Sequence, residues 1–219
     1  MAGEKVKTMT AEKIIELTTA TIGHLTAGAN ENALKNLYAL RETAAAEIRR
    51  KAAKSNGSRD RQKTAEKVLK NATKLHPLRE FMKKSWKNTN GLQCFMDGVS
   101  GYRLHDALPL EEDQKNIERF DIDKCIENAA KNEKPLDVPD VPTLRTYIKT
   151  EKAVKKARKD RTPVVYDFGE GLPAVNAEYL LNALEILPGC VCRCSSSSIL
   201  HPLYFVSAAG DALVCPVRK

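Results

Sequence analysis

The chain has 219 residues with 42% hydrophobic and 29% charged residues, the balance of an ordinary globular protein. It contains no apolar run near the ~20 residues needed to cross a bilayer, and its first residues, "MAGEKVKTMTAEKIIEL", lack an apolar signal core. These features predict a cytoplasmic protein with reduced thiols at its six cysteines. The net charge of +8 is unevenly spread: +10 over residues 41–90, −6 over 97–140 and +6 over 141–161. A basic–acidic–basic pattern suits a chain that meets a polyanion with some of its surfaces; the plain alternative is a set of solvated helix faces.

In chain order, "TAEKIIELTTATIGHL" sets Ile14, Ile15, Thr18, Ile22 and Leu25 close to one helix face. "TAGAN" breaks the pattern, with Gly28 as a stop and Asn30 as an N-cap. A second helix follows, with Leu34, Leu37, Tyr38, Ala45, Ile48 and Ala52 at three- and four-residue spacing. The two predict an N-terminal helical hairpin over residues 1–58, closed by the linker "SNGSRD". "RDRQKTAEKVLKNATK" is a short basic helix whose Lys63, Lys67, Lys70 and Lys74 share one face. "LREFMKKSWKN" has a strand-like rhythm, "TNG" signals a hairpin turn, and "LQCFMDG" and "GYRLH" are two more short strands.

An acidic stretch with a short helix near Ile122–Ala130 and a proline-punctuated loop comes next. It leads into a third basic helix, in which Arg145, Lys149, Lys152, Lys156 and Lys159 form a second stripe. Leu144, Ile148 and Val154 give that helix a thin apolar side. "PVVYDFG" is a strand, and "AVNAEYLLNALEIL" is an amphipathic helix capped by Asn176 and stopped at Gly189. Three strands close the chain, "CVCRC", "PLYFVS" and "ALVCPVR", the last two joined at "AAGD". The pattern from Arg59 onward is that of two βαβββ half-units, the first without its opening strand.

The residues "VNAEYLLNALEILPG … HPLYFVSAAGDALVCPVRK" resemble the C-terminal end of bacterial DNA polymerase III β subunits, the sliding clamps. "FMDGVSGYRLH" is similar to the T-D-G-(Y/H)-R-L strand of that family, with two or three residues inserted. The resemblance covers roughly residues 60–219. It implies an α+β chain with one clamp-like (βαβββ)2 domain over 59–219, carrying a charged insertion around 106–161. A clamp subunit has three such domains. This chain has room for one, and homo-oligomerisation to six copies would be needed to imitate the ring. The N-terminal hairpin has no counterpart in the family, which implies a single-domain, phage-type relative.

The spacing of Cys190, Cys192 and Cys194 aligns them on one face of a strand, with Val191, Arg193 and Ser195 on the other. A zinc site draws on paired C-x2–4-C ligands, which the chain lacks, so no metal or other cofactor is expected; a redox role is the other alternative. His105 and Asp106 are adjacent and point to opposite faces of a strand, a poor catalytic pair. "FMDGVSG" lacks the Gly-Lys-Ser/Thr of a phosphate loop, and "DFGEG" stands without the other kinase motifs. The expected function is therefore non-enzymatic. A nucleic acid, DNA as the family implies, would be held through its phosphates by Lys63, Lys67, Lys70, Lys74, Arg145, Lys149, Lys152, Lys156 and Lys159. The alternative is a phage-type inhibitor that docks on a nucleoprotein enzyme, with the N-terminal hairpin as the element that grips a protein partner.

Overall fold

The computed structural model describes residues 11–25, 31–55, 57–113 and 120–218. Gly28 and Asn30, the predicted stop and cap, lie outside them. The chain forms two compact units, residues 1–59 and 60–219. The first holds α1 (Ala11–Leu25) and α2 (Glu31–Ser55), which pack on one another. Thr18 and Ala44 are buried there, and Ile14, Ile15, Ile22, Leu34, Leu37 and Ile48 are half-buried. Tyr38 and Ala52, expected inside, are exposed, and Ala53 is buried instead.

The second unit is a mixed α+β fold built on one antiparallel sheet of seven strands. Before the sheet comes α3 (Arg59–Leu75), whose Val68 and Leu69 face the core. β1 is only Trp86–Lys87, because Glu80–Met82 winds into a 3-10 turn where a strand rhythm was expected. β2 (Gln93–Met96) and β3 (Ser100–Leu104) follow, then α4 (Ile122–Ala129) and β4 (Lys134–Leu136). β4 corrects the expectation of a plain loop. α5 spans Val141–Ala157, and β5 (Val165–Asp167) pairs only with β6 (Ala174–Asn176) in a separate two-stranded ribbon. α6 (Ala177–Ile186) leads into β7 (Val191–Cys194), β8 (Leu203–Ser207) and β9 (Gly210–Val214).

The large sheet runs β1-β2-β3-β9-β8-β7-β4. A helix followed by a three-strand meander thus occurs twice, and the two meanders join through their third strands, β3 and β9. Register makes the two faces explicit. Phe95, Tyr102, Ala212, Phe205, Cys192 and Leu136 are cross-strand partners in succession, all on one face and all buried. Over them lies the main core, with Leu144 and Ile148 of α5 and Leu180, Ala183 and Leu184 of α6. Truncating a fully buried leucine such as Leu180 to alanine removes about 2–5 kcal/mol. The opposite face carries Cys94, Met96, Tyr204 and Leu213, covered by Ile122 and Ile126 of α4.

Local chemistry sets the helix ends. Asp140 accepts the Thr143 N–H at 2.7 Å, with Pro142 in the first turn of α5, and Asn176 accepts the Glu178 N–H at 2.9 Å. Val154 proves exposed. Tyr147 supplies the missing apolar contact of α5, donating to the Val165 carbonyl at 2.8 Å while its ring meets Tyr166 edge-on. Gly210 is required at the central seam: a Cβ there would sit 2.4 Å from the Arg103 carbonyl oxygen, and its φ is +147°.

Candidate nucleic-acid interface

α3 buries Ala65, Val68, Leu69 and Ala72 and turns Lys63, Lys67, Lys70 and Lys74 outward, all exposed. Among the described residues, Lys67 is the one of the four with a neighbour that accepts from it, Asn182 Oδ1 at 3.4 Å. Among the described residues no carboxylate lies within ion-pair distance of Lys63, Lys70 or Lys74. The stripe expected on α3 is therefore present as a row of available cations. Lys63 and Arg145 line one small cleft of about 340 Å3, together with Thr64 and Glu185. The two basic helices thus border a common depression.

The second stripe divides into two rails. Residues seven apart on a helix differ by only ~20° in azimuth, so Arg145 and Lys152 form one rail and Lys149 and Lys156 the other. Arg145 donates through Nε and Nη2 to Glu185 Oε1 at 3.0 and 2.8 Å, and Thr64 donates to Glu185 Oε2 at 2.6 Å. Lys152 is paired with Glu178. As the α5 number rises the α6 number falls, so the helices run antiparallel with matched heptad spacing. This explains why α6 carries no Lys or Arg: its carboxylates hold α5. Arg145 and Lys152, expected to contact phosphates, have partners inside the protein; Lys149, Lys156 and Lys159 have none among the described residues.

Sequence reasoning missed a polar network on the α4 side of the sheet. Arg103 donates to Asp211 Oδ2 at 2.8 Å and to Asp123 Oδ1 at 3.0 Å. Tyr204 donates to Asp211 Oδ1 at 2.6 Å, and Asn88 donates to Asp123 at 2.9 Å. Burial opposes the Arg103 charge, but its hydrogen bonds to Asp211 and Asp123 outweigh burial and raise its pKa. Burial first, then the bond to Asp211, pushes the Tyr204 hydroxyl up to about 12. His105 Nε2 lies 3.3 Å from Asp211 Oδ2, whereas Asp106 is held by Arg61 at 2.8 Å, so the adjacent His–Asp pair does not form. The network's hydrogen bonds run among β3, β8, β9, α4 and the β1–β2 turn, and they fasten α4 to the sheet.

The cysteines of β7 alternate as expected. Cys192 and Cys194 are buried in the main core, Cys190 packs against it, and Val191 and Arg193 are exposed. Burial raises the Cys190 thiol to about 11 and pushes Cys192 higher still. Among the described residues no three His, Cys, Asp or Glu side chains gather as a metal-holding group. Asp97, in the "MDG" turn, accepts from the Ser100 N–H at 2.7 Å and the Val99 N–H at 3.1 Å. Its other carboxylate oxygen is buried without a partner, and burial raises its pKa. No helix among the described residues is long and apolar enough to cross a membrane. The chain matches no protein-family model, no curated protein and no solved structure.

Proposed function

We propose that this is a non-enzymatic nucleic-acid-binding protein, a clamp-like accessory module of DNA replication acting in the cytoplasm. The observation that carries the reading is the set of cations that have no carboxylate partner among the described residues, on two helices that border one cleft. Lys63, Lys70 and Lys74 on α3 join Lys149, Lys156 and Lys159 at α5. Such cations replace condensed counterions along a phosphate backbone, giving salt-sensitive and sequence-independent affinity. The repeated helix-plus-meander arrangement, joined at β3 and β9, suits a clamp-like (βαβββ)2 domain. The test is fluorescence anisotropy with a labelled duplex at low salt. Reversing Lys63, Lys70, Lys74, Lys149 and Lys156 to glutamate abolishes binding under this reading, and unchanged binding refutes it.

A second reading has its own support. Tyr38 and Leu40 of α2 are 50% and 46% exposed, which favours a protein partner docked on the N-terminal helices, proposed here to form a hairpin. In that case the chain is an inhibitor of a nucleoprotein enzyme. Deleting residues 1–58 separates the two: duplex binding survives under the first and partner capture is lost under the second.

A further inference from the structure

At the C-terminal end of α5 a cleft of about 580 Å3 opens between Lys152, Lys155, Lys156, Lys159 and Arg161 and the start of α6. Two of these cations are already engaged. Lys155 holds Asp160 Oδ2 at 2.8 Å and Thr162 Oγ1 at 2.7 Å, and Lys152 holds Glu178. The Lys155 ammonium, with the Thr162 N–H and hydroxyl, holds the Asp160 carboxyl well below the usual range, so it stays ionised and bound to Lys155. Lys156, Lys159 and Arg161 remain, and no carboxylate among the described residues neutralises them.

Lys159 is the telling residue. It is the one non-glycine described residue at positive φ, +55°. Its N–H donates to the Lys156 carbonyl at 3.1 Å, and the Asp160 N–H donates to the Lys155 carbonyl at 2.9 Å. These are the two bonds of a Schellman turn, whose left-handed position is normally glycine. A lysine there strains the backbone and places a cation at the rim of the cleft. The helix dipole accounts for Lys155 and Lys156 in the last turn, but its influence fades beyond that turn, where Lys159 and Arg161 lie. A solvated face accounts for exposed lysines and not for their convergence on a concavity.

The volume falls in the range of about 300–1,000 Å3 usual for small-ligand sites. The lining offers Pro163 and Val164 as its apolar surface and no aromatic ring for a base, so charge dominates recognition. We propose that this cleft binds a compact polyphosphate, the phosphate chain of a nucleoside triphosphate or of a 5′-triphosphorylated nucleic-acid end, through Lys156, Lys159 and Arg161. The site shares Lys156 and Lys159 with the duplex-binding reading but requires none of the lysines of α3.

The test is isothermal titration of the full chain with inorganic tripolyphosphate at fixed ionic strength, followed by ATP, and by 5′-triphosphate and 5′-hydroxyl oligonucleotides. One-to-one saturable binding is expected, with Lys156→Ala and Arg161→Ala each weakening it by about tenfold. Lys159→Gly is expected to weaken it too, while raising Tm by about 2 °C through relief of the left-handed strain. Lys63→Ala and Lys70→Ala leave tripolyphosphate binding unchanged. A stronger response to ATP or to the triphosphate end supports the site and identifies the source. Absence of saturable tripolyphosphate binding, or equal affinity in wild type and the three cleft variants, overturns the proposal; duplex binding that persists in that case leaves the duplex reading standing.

Discussion

The division of the α5 stripe into paired and unpaired rails makes a quantitative prediction. The perturbation is a pair of double variants, Lys149→Gln with Lys156→Gln and Arg145→Gln with Lys152→Gln. Both remove two positive charges, so net charge does not distinguish them. Each phosphate contact contributes about 0.9 to the slope of log affinity against log salt. Losing Lys149 and Lys156 should therefore make the slope less negative by about 1.8, and the affinity lost between about 50 and 200 mM salt should shrink about twelvefold. Arg145 and Lys152 are held by Glu185 and Glu178, so their loss should change the slope by less than about 0.5. It should lower folding stability instead, by about 0.2–1 kcal/mol per exposed pair. The assay is anisotropy of a labelled duplex titrated across salt, with urea melts of each variant. Equal slope changes in the two double variants would refute the division into rails.

Three further predictions concern the scaffold. Asp211→Ala should cost about 2–4 kcal/mol, because it leaves the Tyr204 hydroxyl unpaired and Arg103 with Asp123 alone; a double-mutant cycle with Tyr204→Phe should show at least about 1 kcal/mol of coupling, and additivity would contradict the network. Gly210→Ala should cost about 3 kcal/mol in urea melts, since the new Cβ meets the Arg103 carbonyl at a positive φ; a near-neutral result would mean that β3 and β9 approach less closely. The Asp97 carboxyl has a folded pKa above its ordinary 3.8, so its contribution is complete below that value and is lost as pH rises through the folded pKa. Asp97→Asn should thus gain on wild type as pH rises above about 4, and a pH-independent difference between the two proteins would sink the assignment.

Elements with strong local signals were legible in the sequence. Asn176 and Gly189 mark the ends of α6, and alternation in "CVCRC" places Cys192 and Cys194 in the core. β4 and β6 were not legible, because three residues including Pro135 carry no period, and Ala174–Asn176 runs directly into a helix. β5 read as a sheet strand from its β-branched content, yet partner choice is a long-range matter and it pairs only with β6. The lysines of α3 were legible because Ala65, Val68, Leu69 and Ala72 recur at helical spacing on the opposite face. The loss of Arg145 and Lys152 to α6 was not, although Glu178 and Glu185 share their seven-residue spacing; pairing the two sets requires knowing that α5 returns antiparallel along α6. The Arg103–Asp211 pair depends on the register of β3 with β9, which no local pattern states.

The borders of the seven-stranded sheet restrict how copies of this chain can assemble. On one side, residues 111–113 already run beside the start of β1: the Ser85 N–H donates to the Glu111 carbonyl at 2.9 Å, and the Asp113 N–H donates to the Ser85 carbonyl at 2.7 Å. On the other side the border strand is the three-residue β4, in which Pro135 has no N–H to offer. Neither margin presents a long row of open backbone groups to which a second molecule could add a strand. Copies joined at this sheet would therefore have to meet through side chains or helices, and the geometry of such a contact would answer to surface substitutions rather than to backbone pairing.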